Sequence, residues 1–130
     1  MRLKRQRLIR PLFDRRRDDV GTVAGGCVRL LYRVAPPEEV GQRVPVQVGF
    51  SAGGRIRRAV TRNRIKRILR EVYRVHQQGL IDLFAQREGT LTLMILFRGD
   101  PEEAPRCIPR DLPRALARLQ ARLTPAPDPG

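Results

Sequence analysis

The residues with the most distinctive chemistry are the cations of a central segment, residues 55–74. Its basic residues are Arg55, Arg57, Arg58, Arg62, Arg64, Lys66, Arg67, Arg70 and Arg74, and its one acid is Glu71. Guanidinium and ammonium groups donate hydrogen bonds to phosphate oxygens and neutralise their charge. The segment is therefore suited to binding a polyanion rather than to cleaving a bond.

A helix is predicted over about residues 59–77, because apolar residues recur at helical spacing among the cations. The apolar residues that share one side are Ile65, Ile68, Leu69 and Val72. The opposite side and its edges carry Asn63, Arg67, Arg70, Arg74, Arg62, Arg64 and Lys66. Cations four residues apart repel each other by roughly a few tenths of a kcal/mol per pair, and one glutamate cannot neutralise so many. This pattern favours nucleic acid as the partner.

Groups that could catalyse a reaction are scattered along the sequence. The one histidine is His76, and acids occur as isolated pairs such as Asp18-Asp19, without the arrangement of a two-metal nuclease site. The glycine pair at 53–54 lacks the Lys and Ser or Thr of a phosphate-binding loop. No catalytic residue and no metal ligand is predicted, and the protein alone is not expected to be a catalyst.

Length and composition limit the class of protein. One domain with one core fits 130 residues, and a formal net charge of +14 favours nucleic acid or anionic lipid as a partner. No apolar run is long enough to span a membrane, and the basic N-terminus lacks the apolar stretch of a secretory signal. Cys27 and Cys107 have no further ligand at zinc spacing and are expected as two buried or half-buried thiols. A cytoplasmic protein without membrane contact is expected.

The other elements are predicted from periodicity. Segments 27–34, 44–52 and 90–97 have the alternation or apolar clustering of strands. A final helix is expected to begin near Asp111, which would cap it. Its apolar residues are Leu112, Leu116, Leu119 and Leu123.

Short strands separated by helices predict an α+β fold, a two-layer α/β sandwich with one small sheet. Residues 2–17 form a basic segment in which Pro11 limits helix to one or two turns. Gly79 is the expected stop of the basic helix. One RNA-binding domain is expected over residues 1–123, followed by a disordered tail at 124–130.

Aromatic side chains near cations would serve single-stranded RNA, because unpaired bases stack on rings. Phe13 lies in the basic N-terminal segment, and Tyr32 lies in the first predicted strand, where its hydroxyl suits the edge of a cleft. Phe50 and Phe97 fall on apolar faces and are expected in the core. A helix-turn-helix DNA reader is disfavoured, because strands precede the basic helix.

One stretch resembles a known family. Residues 48–74 read VGFSAGGRIRRAVTRNRIKRILREVYR. They resemble the signature region of the protein component of bacterial ribonuclease P, in which V-G-apolar-S ends a strand and A-V-x-R-N-R-x-K-R-x-apolar-R begins a helix. The segments RLKRQRLIRPLF and LMILFRGDP resemble other parts of that family more loosely. The resemblance covers about residues 2–123.

The resemblance implies the order α-β-β-β-α-β-α, with an uncommon left-handed βαβ crossover through the basic helix. It also implies that a large RNA subunit, which holds most of the Mg²⁺, hydrolyses the phosphodiester that joins the 5′ leader to precursor tRNA. The protein would be the non-catalytic subunit of this endoribonuclease. It would bind the catalytic RNA and hold the leader in a cleft, and no protein partner is implied.

Residue roles follow from the resemblance by position. RNA contacts are assigned in this way to Arg62, Asn63, Arg64, Lys66, Arg67 and Arg70. The positive charge of the preceding loop adds Arg55, Arg57 and Arg58 to the expected RNA contacts. The leader cleft is assigned Phe13, Tyr32, Ser51 and Ile9, with Ile9 in place of the family's first aromatic residue. The turn before the helix departs from the family, because Gly53-Gly54-Arg55 replaces Ser-Lys-Lys and Arg57-Arg58 replaces Gly-Asn. The Asn that would cap the helix is thereby lost.

Two other functions are compatible with the composition. A small ribosomal or general RNA-binding protein without a processing role would share the positive charge but not the register that joins VGFS, AV and RNRIKR. A self-sufficient nuclease would need catalytic groups that the sequence does not bring together.

Overall fold

The computed structural model of the chain describes residues 6–41 and 44–125, with a four-stranded sheet at its centre. The strands are β1 (Gly21–Gly25), β2 (Val28–Ala35), β3 (Val46–Ser51) and β4 (Thr90–Phe97). Their order across the sheet is β1-β2-β4-β3. The three strands predicted from periodicity are confirmed, and β1 is the additional strand that the resemblance implied.

Two long and three short helices accompany the sheet, which confirms the α+β class. They are α1 (Gln6–Ile9), α2 (Pro37–Val40), α3 (Ala59–His76), α4 (Gln78–Phe84) and α5 (Ala104–Leu123). A 3₁₀ turn over Arg10–Phe13 continues α1, as expected for a short helix that meets Pro11. The expectation for Gly79 is wrong, because α3 ends at His76 and Gly79 lies inside α4.

A crossover between two neighbouring strands positions the basic helix. β3 and β4 pair in parallel, with Val48 opposite Leu93. Parallel neighbours need a long connection from one end of the sheet to the other, and α3 with α4 provides it. β2 pairs antiparallel with both β4 and β1. The left-handed sense of the crossover stays a prediction.

Alternation along β2 and β4 divides the side chains between two faces of the sheet. On the first face, Leu30 and Ile95 are fully buried in the main core, which α3 and α5 complete. On the second face, Leu31 and Met94 pack with Leu8 of α1 in a smaller apolar cluster. The N-terminal segment therefore covers part of the second face.

Helix α5 begins at Ala104 rather than near Asp111, so that expectation is wrong. Cys107 and Ile108 are buried and extend the apolar side of the helix toward its N-terminus. Pro109 lies inside the helix but is exposed, so the hydrogen bond that it removes is on the side open to water. Burial of the added turns outweighs the unfavourable proline.

Asp111 connects α5 to the sheet instead of capping a helix. Its carboxylate accepts hydrogen bonds from the Arg110 guanidinium and from the backbone N–H of Cys27, each at 3.0 Å. These contacts, chiefly the one with Arg110, lower the pKa of Asp111. The turn between β1 and β2 is thereby held against the helix.

The same turn is also cross-linked to α5. Cys27 and Cys107 form a disulfide, so the expectation of two separate thiols is wrong. Their Cα atoms lie 6.2 Å apart, a distance that a disulfide spans. Their separation of 80 positions in the sequence concealed the pairing, because only folding brings the turn against the helix.

Removing this cross-link should lower the free energy of unfolding under oxidising conditions. A bond that closes a loop of this size restricts the unfolded chain, and its loss costs about 2–4 kcal/mol. Urea denaturation of the double variant Cys27→Ser/Cys107→Ser and of the unchanged chain would measure the difference. The two proteins should unfold alike in strong reductant, and equal midpoints without reductant would contradict the prediction.

Candidate nucleic-acid interface

A groove of about 630 Å³ opens on the second face of the sheet, at the end where β3 and β4 finish. It is lined by Leu31 and Leu96 from the sheet, by residues 12–15 from the N-terminal segment and by residues 52–56 from the loop after β3. The groove therefore lies between parts of the chain that are distant in sequence.

Positive charge predominates in this groove. Its arginines are Arg15, Arg17, Arg29, Arg55 and Arg98, and its one acid is Asp14. Among the described residues, Arg17 is the only one of these five arginines with an ion pair. A concave surface lined by unpaired cations attracts anions.

Phe13 is the exposed aromatic side chain of the groove. The turn that carries it is anchored by Leu8 and Leu12, which are 0% and 2% exposed, whereas Phe13 is 50% exposed. A ring held open to solvent beside cations is suited to stacking on an unpaired base. The structure thus places Phe13 in a cleft, and its contact with RNA stays a prediction.

A buried arginine holds the loop that borders the groove. Arg33, on the second face of β2, is 4% exposed. Its Nε donates to Asp19 Oδ2 at 2.8 Å, and its Nη2 donates to the Glu39 carboxylate at 2.9 Å. Asp19 also accepts two hydrogen bonds from Arg17, each at 2.8 Å, and Arg17 and then Arg33 hold the pKa of Asp19 well below its usual range. This network positions Arg17 at the groove.

Two other residues assigned to the leader cleft lie near the groove without lining it. Ile9 is half-buried in the apolar cluster of the second face. Ser51 is the last residue of β3, and its Oγ accepts a hydrogen bond from Gly53 N–H at 3.2 Å. Ile9 therefore supports the N-terminal segment, and Ser51 shapes the loop that follows.

Tyr32 lies on the opposite face of the sheet from the groove, contrary to its assignment to the cleft. Its ring packs against the main core, and its hydroxyl accepts a hydrogen bond from Arg122 Nη1 at 3.3 Å. Because successive residues of a strand point to opposite faces, β2 presents Arg29 and Leu31 to the groove instead. A difference of one residue in register decides which side chains reach it.

Helix α3 presents its cations to solvent, as its periodicity predicted. Ile65 and Leu69 are buried at 1% and 0% exposure. The exposed polar residues of the signature are Asn63, Arg64, Arg67 and Arg70, and Lys66 is half-buried. Arg67 Nε donates to Glu71 at 3.1 Å, but the two side chains are 76% and 62% exposed, so their pairing contributes little. These cations remain accessible to an anion.

Arg62 fixes the loop that joins the groove to α3. Its Nη1 donates to the carbonyl oxygens of Ile56 and Arg57, at 3.0 and 2.8 Å. Sequence reasoning assigned Arg62 to RNA and did not detect this positioning contact. Arg58 occupies the N-cap of α3 without a side-chain cap, as the missing Asn predicted. Since Arg55 lines the groove, loop and helix form one continuous basic surface.

The backbone conformation at residue 53 explains why this chain has glycine where the family has a larger residue. Its φ of +88° is a conformation that L side chains rarely adopt, and an added Cβ would lie 2.8 Å from the Phe97 carbonyl oxygen. Gly54, in contrast, has open space around the position of a Cβ. The close approach of the loop to the end of β4 accounts for the first glycine.

Arg29 and Arg98 are groove residues that sequence reasoning missed. Arg29 alternates with Leu30 in β2, and this alternation was the signal that could have assigned it to the second face. Arg98 directly follows β4, and its backbone N–H donates to the Cys27 carbonyl oxygen at 2.7 Å. No local pattern marked Arg98, because its place depends on that contact between distant segments.

The part of the chain that the structure describes holds one group of three potential metal ligands. Cys27, Cys107 and Asp111 place ligand atoms within 4.8 Å of one another. The sulfurs are joined to each other and Asp111 is hydrogen-bonded, so these atoms are already engaged.

Over the part of the chain that the structure describes, no helix has both the length and the apolar character that crossing a bilayer requires.

Comparison with known proteins identifies the family. The family model described as ribonuclease P matches residues 1–93. This chain belongs to the ribonuclease P protein family. The ribonuclease P protein component of Chlorobaculum tepidum is 37% identical to it over 90 residues, which cover 65% of this chain and 58% of that protein. That of Natranaerobius thermophilus is 39% identical over 61 residues, covering 47% of this chain and 49% of the relative.

The chain thus spans about half to three fifths of the length of these curated ribonuclease P relatives. A solved ribonuclease P protein from Thermotoga maritima matches with a TM-score of 0.62 at 18% identity, over 96% of this chain and 99% of that one. One from Staphylococcus aureus matches with a TM-score of 0.61 at 17% identity, over 92% of this chain and 87% of that one. These matches show the ribonuclease P protein fold.

Replacing Asp19 with asparagine should lower stability most at neutral pH. Because the folded-state pKa of Asp19 is depressed, its ion pairs stabilise the protein above an unfolded pKa of about 4, and this stability is lost as the pH falls further. Urea denaturation of Asp19→Asn and the unchanged chain at pH 7 and pH 3 should show a larger difference at pH 7. Asp18→Asn, an exposed neighbour, is the control. Equal differences at both pH values, or an equal effect of the control, would contradict this role.

Proposed function

We propose that this chain is the protein subunit of ribonuclease P, which binds the catalytic RNA and the 5′ leader of precursor tRNA so that the RNA can remove the leader. The observation that carries the proposal is the continuous basic surface from the groove, through the loop at 52–58, to α3. Membership of the family supports the same function. The proposed location is the cytoplasm.

The groove is suited to a single strand of RNA. Phe13 offers a ring for an unpaired base, an interaction worth about 1–3 kcal/mol per base. Arg29 and Arg55 lie in the same groove as donors to phosphate. Leu31 and Leu96 provide apolar surface without hydrogen-bonding groups. Leader binding would therefore depend more on stacking and charge than on reading base edges.

Helix α3 is suited to the backbone of the catalytic RNA. Its buried side is anchored by Ile65 and Leu69, so the exposed cations project from a rigid element. Arg64 and Arg70 are exposed and have no ion pair among the described residues. Such groups neutralise phosphates and release counterions, which makes binding strong and dependent on salt.

The hydrolysis itself is assigned to the RNA and its Mg²⁺. Mg²⁺ prefers oxygen ligands, whereas the one group of three potential ligands in the described residues is Cys27, Cys107 and Asp111. These residues do not fit Mg²⁺. The protein would act as a non-catalytic subunit that holds the leader and offsets the negative charge of the phosphates.

Reconstitution with a bacterial ribonuclease P RNA tests this function. Cleavage of precursor tRNA would be followed at low Mg²⁺ with the RNA alone, the protein alone and both together. We expect the mature 5′ end to form faster with both than with the RNA alone, and no product with the protein alone. Cleavage by the protein alone would assign the chemistry to the protein. A lack of stimulation would favour an RNA-binding protein without a processing role.

Replacing Phe13 with alanine should weaken binding of precursor tRNA by the assembled enzyme and leave mature tRNA unaffected, because mature tRNA has no leader. Loss of one stacked base predicts a decrease in affinity of about fivefold to hundredfold. Val60→Ala removes a side chain that is 81% exposed in the first turn of α3 and should change neither affinity. Equal losses for the two tRNAs would show that Phe13 acts elsewhere than on the leader.

A further inference from the structure

Helix α5 carries a second series of cations, separate from the groove and from α3. Arginine occupies every fourth position, and all five are exposed: Arg106, Arg110, Arg114, Arg118 and Arg122. The one acid in this helix is Asp111. Residues four apart form an oblique ridge on a helix, with a rise of about 6 Å per step. These five arginines are termed the α5 ridge.

Three arginines of the α5 ridge have partners within the fold. Arg118 and Arg122 each donate to a carbonyl oxygen of β1, at 3.1 and 2.7 Å. Since β1 is an edge strand, these bonds cover polar groups that the sheet leaves open. Arg110 forms an ion pair with Asp111. Structural roles therefore account for these three positions.

Arg106 and Arg114 are not accounted for in this way. Neither has a hydrogen bond or an ion pair with another described residue, and both are exposed. Cations at this spacing repel one another, and exposed helices usually offset such repulsion with a glutamate four residues away. Helix α5 contains no glutamate, and Glu102 and Glu103, which lie just before it, form no ion pair with Arg106. Asp111 attracts Arg114 but is already paired with Arg110. An external anion would supply the missing partner.

The α5 ridge differs from the groove because no aromatic ring accompanies it. In the described residues the exposed large apolar side chains are Phe13, Val34, Val60 and Val75, and none belongs to α5. Proteins hold single strands by stacking as well as by charge. They hold double-helical RNA mainly by contacts to its backbone and by its shape. A convex row of arginines without rings is suited to the second kind of RNA.

We infer that the α5 ridge binds the phosphate backbone of a double-helical RNA segment. The inference rests on the proposed RNA-binding function and adds a surface to it. Helix α5 packs over the first face of the sheet, beside α3 and against β1, whereas the groove opens on the second face. One protein would thus hold a single strand on one side of the sheet and an RNA helix on the other.

A blunt RNA duplex of about 16 base pairs tests the inference, because it offers no single strand to the groove. The double variant Arg106→Gln/Arg114→Gln should bind this duplex about tenfold to thirtyfold more weakly near physiological salt. The slope of log affinity against log salt should fall by about 1.8, since each lost phosphate contact contributes roughly 0.9. Binding of a single-stranded RNA oligonucleotide should change far less.

The matched control is Arg106→Lys/Arg114→Lys, which keeps both charges and should keep the salt slope. A lysine variant as weak as the glutamine variant, with the same reduced slope, would overturn the inference. The variant Arg67→Gln/Arg70→Gln on α3 tests the proposed function separately. If it weakens binding of the catalytic RNA while the α5 glutamine variant binds the duplex normally, the inference fails and the proposed function stands. If the unchanged protein binds no RNA, the proposed function itself fails.

Discussion

The arrangement of this fold depends on strand β4, which is buried on both faces and pairs with a neighbour on each side. Leu93 and Ile95 are fully buried on the first face, and Thr92 and Met94 are buried on the second. The Thr92 hydroxyl donates to the Arg33 carbonyl oxygen of β2 at 2.8 Å. Because β3 runs parallel to β4, the chain must cross the sheet between them, and this crossing is the basic helix α3. The position of its cations therefore follows from strand pairing.

The distribution of charge reflects two different uses of ionic groups. Asp19 and Glu39 pair with the buried Arg33, and Asp111 holds the turn at Cys27, so these acids stabilise contacts within the fold. The cations of the groove, of α3 and of part of α5 are left largely unpaired on the surface. Such surfaces repel one another and attract a polyanion, which is the property that the proposed function uses.

Local sequence patterns predicted the helices and strands whose apolar residues recur with strong periodicity. Ile65 and Leu69 marked the buried side of α3, and the alternation in residues 44–52 marked β3. β1 was not found by periodicity, because its five residues include two glycines and form a strand by pairing with β2. The start of α5 was predicted too late, because Asp111 was interpreted as its cap, whereas burial of the first turns extends the helix back to Ala104.

The sequence by itself determined the basic helix, the strands on either side of it and the family, because each depends on residues that are close in the chain. Only the tertiary structure decided that Tyr32 faces the core while Arg29 faces the groove, and that Arg62 holds a loop. It also decided that Cys27 meets Cys107. These outcomes depend on strand register and on contacts between distant segments. Both are set when the apolar faces of helices and sheet are buried together, and no short stretch of sequence contains that information.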